Sequence, residues 1–173
     1  MQARLFGHPI HPMLIVFPLG LLATAVVFDI VGLSRGEASW FGISYWMIAS
    51  GIIGGLLAAV FGLIDWIGIP SGTRAKTIGL LHGGTNVVVV LLFITSWFMR
   101  GSAANVPSNT ALTLSFVAVL LALVGGWLGG ELVDRLGIGV DEGAHPNAPN
   151  SLSGRPASER DTDTTRRDWP KAA

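Results

Sequence analysis

Residues 41–65 read FGISYWMIASGIIGGLLAAVFGLID, and no charged side chain interrupts the run before Asp65. A hydrocarbon core about 30 Å thick is crossed by about 20 residues of α-helix. In lipid every backbone N–H and C=O must be satisfied within the segment, so an apolar run of this length predicts a membrane-spanning helix. Three more runs meet the same length: 12–33 (PMLIVFPLGLLATAVVFDIVGL), 76–99 (KTIGLLHGGTNVVVVLLFITSWFM) and 109–132 (NTALTLSFVAVLLALVGGWLGGEL). The links between them are short and carry Gly, Ser or Pro turn chemistry. The expected fold is all-α, a four-helix up-down-up-down membrane bundle over residues 1–142. Pro12 suits a first helical turn, and Pro18 predicts a kink early in the first span.

Charge supports the same assignment. The chain of 173 residues is 50% hydrophobic and 13% charged, with a mean hydropathy of +0.58. Residues 1–133 carry nine charged side chains, and the last 40 residues carry thirteen. Nine charges cannot cover the surface of a water-soluble globule of that size. From about residue 143 the chain turns to Pro, Ser, Asn and paired charges, too poor in large apolar side chains to offset ordering entropy. Residues 143–173 are therefore expected to form a disordered cytoplasmic tail, with His145 solvated. Arg4, Arg74, Lys76, Arg135 and Arg155 fall on the side shared by both termini, against Arg35 and Arg100 on the other. The excess places both termini in the cytoplasm. Trp66 and Trp127 mark one interface, and Trp40, Tyr45, Trp46 and Trp97 the other. A cleaved signal peptide ending near Ala23-Thr24-Ala25 is disfavoured, because the apolar run continues beyond Ala25.

Several chemistries are excluded. The chain has no cysteine, so disulfides, thiolate metal sites and a cysteine nucleophile are absent. Its formal net charge is zero, which offers no pull toward nucleic acid. No phosphate-cradling glycine loop and no nucleophile–base pair at recognisable spacing is present, so a non-enzymatic role is favoured.

The small residues lie inside the apolar runs, where close helix packing in lipid needs them. Gly54, Ala58 and Gly62 repeat every four residues in the second span, and Gly125/Gly129 overlaps Gly126/Gly130 in the fourth. Packing within one chain accounts for these; a homodimer seam is the alternative.

Ionisable groups within spans are costly and tend to face the bundle interior. His8 and His11 precede the first span, Asp65 ends the second, His82 lies about two turns into the third, and Glu131 closes the fourth. All five gather near one interface, and Asn86 stands one turn from His82 on the same face. Asp65 shares the small-residue stripe of its helix. Gly83 and Gly84 would let a flat ligand or another backbone approach. Each residue also has a structural explanation. The two His-Pro pairs could form a rigid interfacial turn, Asp65 could cap a turn or pair with Arg74 or Lys76, and His82 with Asn86 could bond between helices. Glu131 falls on the Trp127 side, away from Gly129. Asp29, alone at the opposite end, is expected to snorkel or cap near the outer interface.

The strings GHPIHPMLIVFPLGLL, GLIDWIGIPSGTRAK, LLHGGTNVVVV and GWLGGELVDRLGIGV together resemble the bacterial predicted membrane proteins grouped as domain of unknown function 2231. The resemblance covers about residues 5–142 and implies a four-span integral membrane protein without implying an activity. Some relatives carry a further His shortly after the His-Pro pair; Val16 occupies that place here.

The candidate site is thus His8, His11, Asp65, His82 and Asn86. Three uses of it are weighed. A structural or partner-binding membrane subunit demands least. A b-type haem or quinone-linked electron-transfer subunit, with a membrane redox partner, could use His82 with His8 or His11 as axial ligands. Cation or proton transport or sensing could use imidazole and carboxylate, but the third span is apolar from Val87 to Ile94. No metal is specified by these residues.

Overall fold

The computed structural model describes residues 3–160. A two-residue strand β1 (Arg4–Leu5) pairs antiparallel with β2 (His8–Pro9), in the register Arg4↔Pro9 and Leu5↔His8. The chain then enters α1 (Ile10–Leu14), α2 (Val16–Arg35), α3 (Ala38–Ile67), α4 (Arg74–Arg100) and α5 (Asn109–Gly130). A π-helical turn, Glu131–Arg135, extends α5.

Four helical segments are long and apolar enough to cross a membrane: Ile10–Arg35, Ala38–Ile67, Arg74–Arg100 and Asn109–Arg135. Each runs beyond the span expected from its apolar core, because helix continues into the flanking polar layer where capping groups end it. Thr73 and Ser108 cap α4 and α5, their hydroxyls accepting from the backbone N–H of Lys76 and Ala111. Gly36 ends α2 in the left-handed conformation at φ +68°.

The kink expected from Pro18 appears as a break at Ile15. Proline has no N–H to give to the Leu14 carbonyl, and its ring crowds that carbonyl, so the regular ladder fails there. The chain bridges the break with Ile15 N–H to His11 O and Leu19 N–H to Ile15 O, both 3.1 Å.

In packing, α2 lies against α3 and α4 against α5, while α3 touches α4 and α2 touches α5. Partners within a pair run in opposite directions: His11 meets Ala58 and Leu22 meets Gly51, as His82 meets Gly125 and Ser96 meets Ala111. The core is Leu22, Ala25, Val26, Ile48, Ile52, Val89, Phe93 and Ala118. It fills the middle of the bundle. Large apolar side chains such as Leu19, Ile53, Leu56, Leu120 and Leu123 point outward instead, which suits lipid and not water. Within residues 143–160 the only regular element is a 3-10 turn, Ser151–Ser153. Residues 161–173 of the expected tail lie outside the described residues.

Candidate functional site

Three of the five predicted residues meet. The break at Ile15 turns α1 so that His11 lies against α3, and its Nδ1–H donates to the Ala58 carbonyl at 2.9 Å. His82 of α4 does the same toward α5, donating from Nδ1 to the Gly125 carbonyl at 2.8 Å. A carbonyl can only accept, so each imidazole in its neutral form carries its proton on Nδ1 and keeps the Nε2 lone pair. The two rings lie edge to face, with centroids 6.2 Å apart and planes at 88°. Asn86, one turn along α4, donates its amide to the His82 carbonyl at 2.9 Å.

The small-residue stripes explain why these rings fit. A Cβ on Gly62 would stand 2.9 Å from His11 Cε1, and one on Gly129 would stand 3.1 Å from His82 Cε1. On Gly125 it would stand 2.8 Å from the Asn86 side chain. Those distances are below ordinary van der Waals contact, so the glycines serve as seats for the polar side chains. Gly126 and Gly130 behave differently, since added Cβ atoms there would meet nothing within 4 Å. Of the two overlapping pairs on α5, one is used within the chain and the other faces outward.

The remaining site residues are engaged elsewhere. His8 is exposed and donates from Nδ1 to Phe6 O, within its own hairpin. Asp65 lies one turn beyond Gly62 and accepts from the Ala3 backbone N–H at 3.1 Å. It pairs with neither Arg74 nor Lys76. Arg74 instead reaches Glu131, whose side chain is 17% exposed, and Lys76 bonds to the Trp66 carbonyl while its ammonium lies over the Trp66 ring. Gly83 and Gly84 are open, as expected. Gly84 borders a shallow apolar cavity of about 260 Å³ together with Leu80, Leu81, Thr85, Val88 and Leu121. Among the described residues no group of three or more His, Asp or Glu side chains is placed to hold a metal ion.

Asp29 requires a correction. It neither snorkels nor caps: it is fully buried and forms a two-pronged ion pair with Arg100. Arg100 Nη1 meets Asp29 Oδ1 at 2.8 Å and Nη2 meets Oδ2 at 2.6 Å. The other guanidinium protons go to Ser44, Ser115 and Ser96, at 3.3, 3.2 and 3.4 Å. Ser96 is in turn hydrogen-bonded to Ser115 and donates to the Ala111 carbonyl. All five donors of the guanidinium are thereby satisfied, by groups from all four membrane-crossing segments. The physical reason is desolvation, because a carboxylate one turn inside the apolar layer is better matched by a buried Arg than by a stretched path to water. In the sequence Arg100 stands only as one of two basic residues on the outer side. The available signal was Ser44, Ser96 and Ser115, hydroxyls within the apolar stretches of three different helices.

The bundle thus has a histidine end and an arginine end, separated by a dry core. No curated protein and no solved structure matches the chain. A family model described as predicted membrane protein (DUF2231) matches residues 7–142, which includes every membrane-crossing segment and both polar ends. The chain belongs to that family of membrane proteins.

Proposed function

We propose that this membrane protein is a partner-binding subunit whose histidine end, facing the cytoplasm, organises the surface it presents. The observation that supports this reading is the His11–His82 pair. Each imidazole fastens one helix to the next through a main-chain carbonyl, and the contact between the rings joins the two fastened pairs. The site therefore sets how the two halves of the bundle meet at that end. Affinity capture from solubilised membranes, with the intact chain and with His11→Ala and His82→Ala, tests it. A reproducible partner lost in both variants, with folding retained, supports the reading; a partner set unchanged by both overturns it.

A second reading has one specific observation in its favour. An imidazole whose Nδ1–H is held by a carbonyl keeps its lone pair on Nε2, the form in which histidine ligates haem iron or a transition metal; at His82 the Asn86 amide lies 3.4 Å from that nitrogen and would have to move aside. Electron transfer through b-type haem would use such a pair. The rings are already in edge contact, so a porphyrin needs the two halves to part at this end. Expression with haem supplied, followed by an absorption spectrum, separates the readings: a Soret band lost in His82→Ala favours haem. No band, together with no bound metal by elemental analysis, leaves the partner-binding reading.

A further inference from the structure

The hairpin at the start of the chain has a turn residue that turn chemistry does not explain. Phe6 sits at its tip with φ +50°, followed by Gly7 at φ +81°. A two-residue turn with both residues left-handed favours Asn or Gly, and a bulky aromatic there carries strain. The Phe6 ring makes no core contact to offset it, since the residue is 72% exposed.

The depth of the hairpin follows from α3. Thirty residues of helix span about 45 Å, against a hydrocarbon core of about 30 Å, so about five residues at each end lie in the headgroup layer. Asp65 is within that last stretch and holds Ala3, while His11 is held lower down at Ala58. The hairpin therefore lies alongside the final turns of α3, at the polar–apolar boundary. Below it the exposed side chains of Met13, Val16 and Phe17 continue into the lipid-facing surface.

The other end of the chain returns to the same place. A Cβ on Gly7 would stand 3.0 Å from Ser151 Cβ and 3.1 Å from Ser151 O, so the Ser151–Ser153 turn rests against the hairpin tip. Arg4 Nη2 meets Asp141 Oδ1 at 2.6 Å, tying the start of the returning segment to β1. Leu152, carried by that turn, is also 72% exposed. In a tail otherwise poor in large apolar residues, one directly follows the residue that rests against the hairpin tip.

We propose that the hairpin tip and the Ser151–Ser153 turn form one interfacial anchor, with Phe6 and Leu152 lodged at the headgroup–acyl boundary of the bilayer. Burial in that layer removes two large apolar surfaces from water, and an aromatic ring suits the boundary. It supplies the gain that the strained turn lacks locally. The partner is a lipid surface, reached by the hairpin tip and the Ser151–Ser153 turn together.

The absence of cysteine gives a clean test. Phe6→Cys and Leu152→Cys, made separately, each carry one nitroxide label after reconstitution into phosphatidylcholine–phosphatidylglycerol vesicles. Leu5→Cys serves as a second hairpin position if the label at 6 disturbs the turn, and Glu142→Cys is the aqueous reference. Collision rates with oxygen, which concentrates in lipid, and with a water-soluble nickel chelate are then compared. The expected oxygen-to-nickel ratio at the hairpin label and at 152 is several-fold above that at 142. A ratio equal to the reference at either place overturns the shared anchor, and would leave that apolar tip open to a protein partner instead.

Discussion

At the scale of single residues, Arg100 and Asp29 weigh most. Their charges are out of water and mutually satisfied, so removing one leaves the other buried without a counter-ion. That loss costs about 3–5 kcal/mol in buried pairs, whereas replacing both by apolar groups of similar size is far milder. Asp29→Ala and Arg100→Ala should each lower the unfolding temperature in detergent strongly, and Asp29→Leu with Arg100→Met should lower it less than either single change. A double variant as damaged as the sum of the singles would mean the two charges act independently. The histidine end predicts the converse pattern: His82→Ala should alter partner capture more than Asp29→Ala while costing less stability. Equal effects of the two in capture would remove the distinction between the ends. Why one end was legible in the sequence and the other was not is a matter of range. His82 and Asn86 lie four apart on one helix, a relation that periodicity exposes. Asp29 and Arg100 come from different helices, and nothing local to either names its partner.

At the scale of elements, α5 offers the sharpest contrast. Adjacent glycines on one helix have opposite surroundings: Gly125 is filled by Asn86, and Gly126 faces open space. Gly125→Leu should push α4 and α5 apart and destabilise the bundle by a few kcal/mol, in the range of overpacked cores. Gly126→Leu should leave thermal stability within about 0.5 kcal/mol of the parent, as exposed substitutions do. Light scattering of the detergent-solubilised protein adds a second reading. If Gly126 and Gly130 form a homodimer seam, Gly126→Leu converts dimer to monomer; if they face lipid, the mass is unchanged. The doubled glycine pattern announced tight packing, and it was right that small residues mattered. It could not say which pair packs inward, because two rows about 100° apart on one helix are equivalent until the other helices are in place. Pro18 was more informative. Its missing N–H acts on its own helix, so the break could be expected from sequence, and the break is what turns His11 toward His82.

At the scale of the whole molecule, the two polar ends are insulated from each other. His82 and Ser96 are fourteen positions apart on α4, about 21 Å along the axis. The space between is the apolar core, with Ala25, Ile48, Phe93 and Ala118 fully buried. An ion or proton path needs a chain of groups that can exchange hydrogen bonds with the permeant species. Here the histidine end supplies two imidazoles already committed at Nδ1 to main-chain carbonyls, and the arginine end has every guanidinium proton assigned. Charge scarcity in residues 1–133 established a membrane protein from composition alone, but the same scarcity is ambiguous about transport, since nine charges could line a pore as well as mark helix ends. Their placement speaks against a pore: Asp29 and Arg100 neutralise each other, and Arg74 is matched by Glu131. Proteoliposomes loaded with a pH-sensitive dye should therefore show proton leakage no faster than empty vesicles under an imposed gradient. Substituting the core with polar residues, as in Val89→Asn with Phe93→Ser, should be needed before water enters. Leakage above the empty control in the unaltered protein, abolished by His82→Ala, would show that the dry middle opens and that the two ends communicate after all.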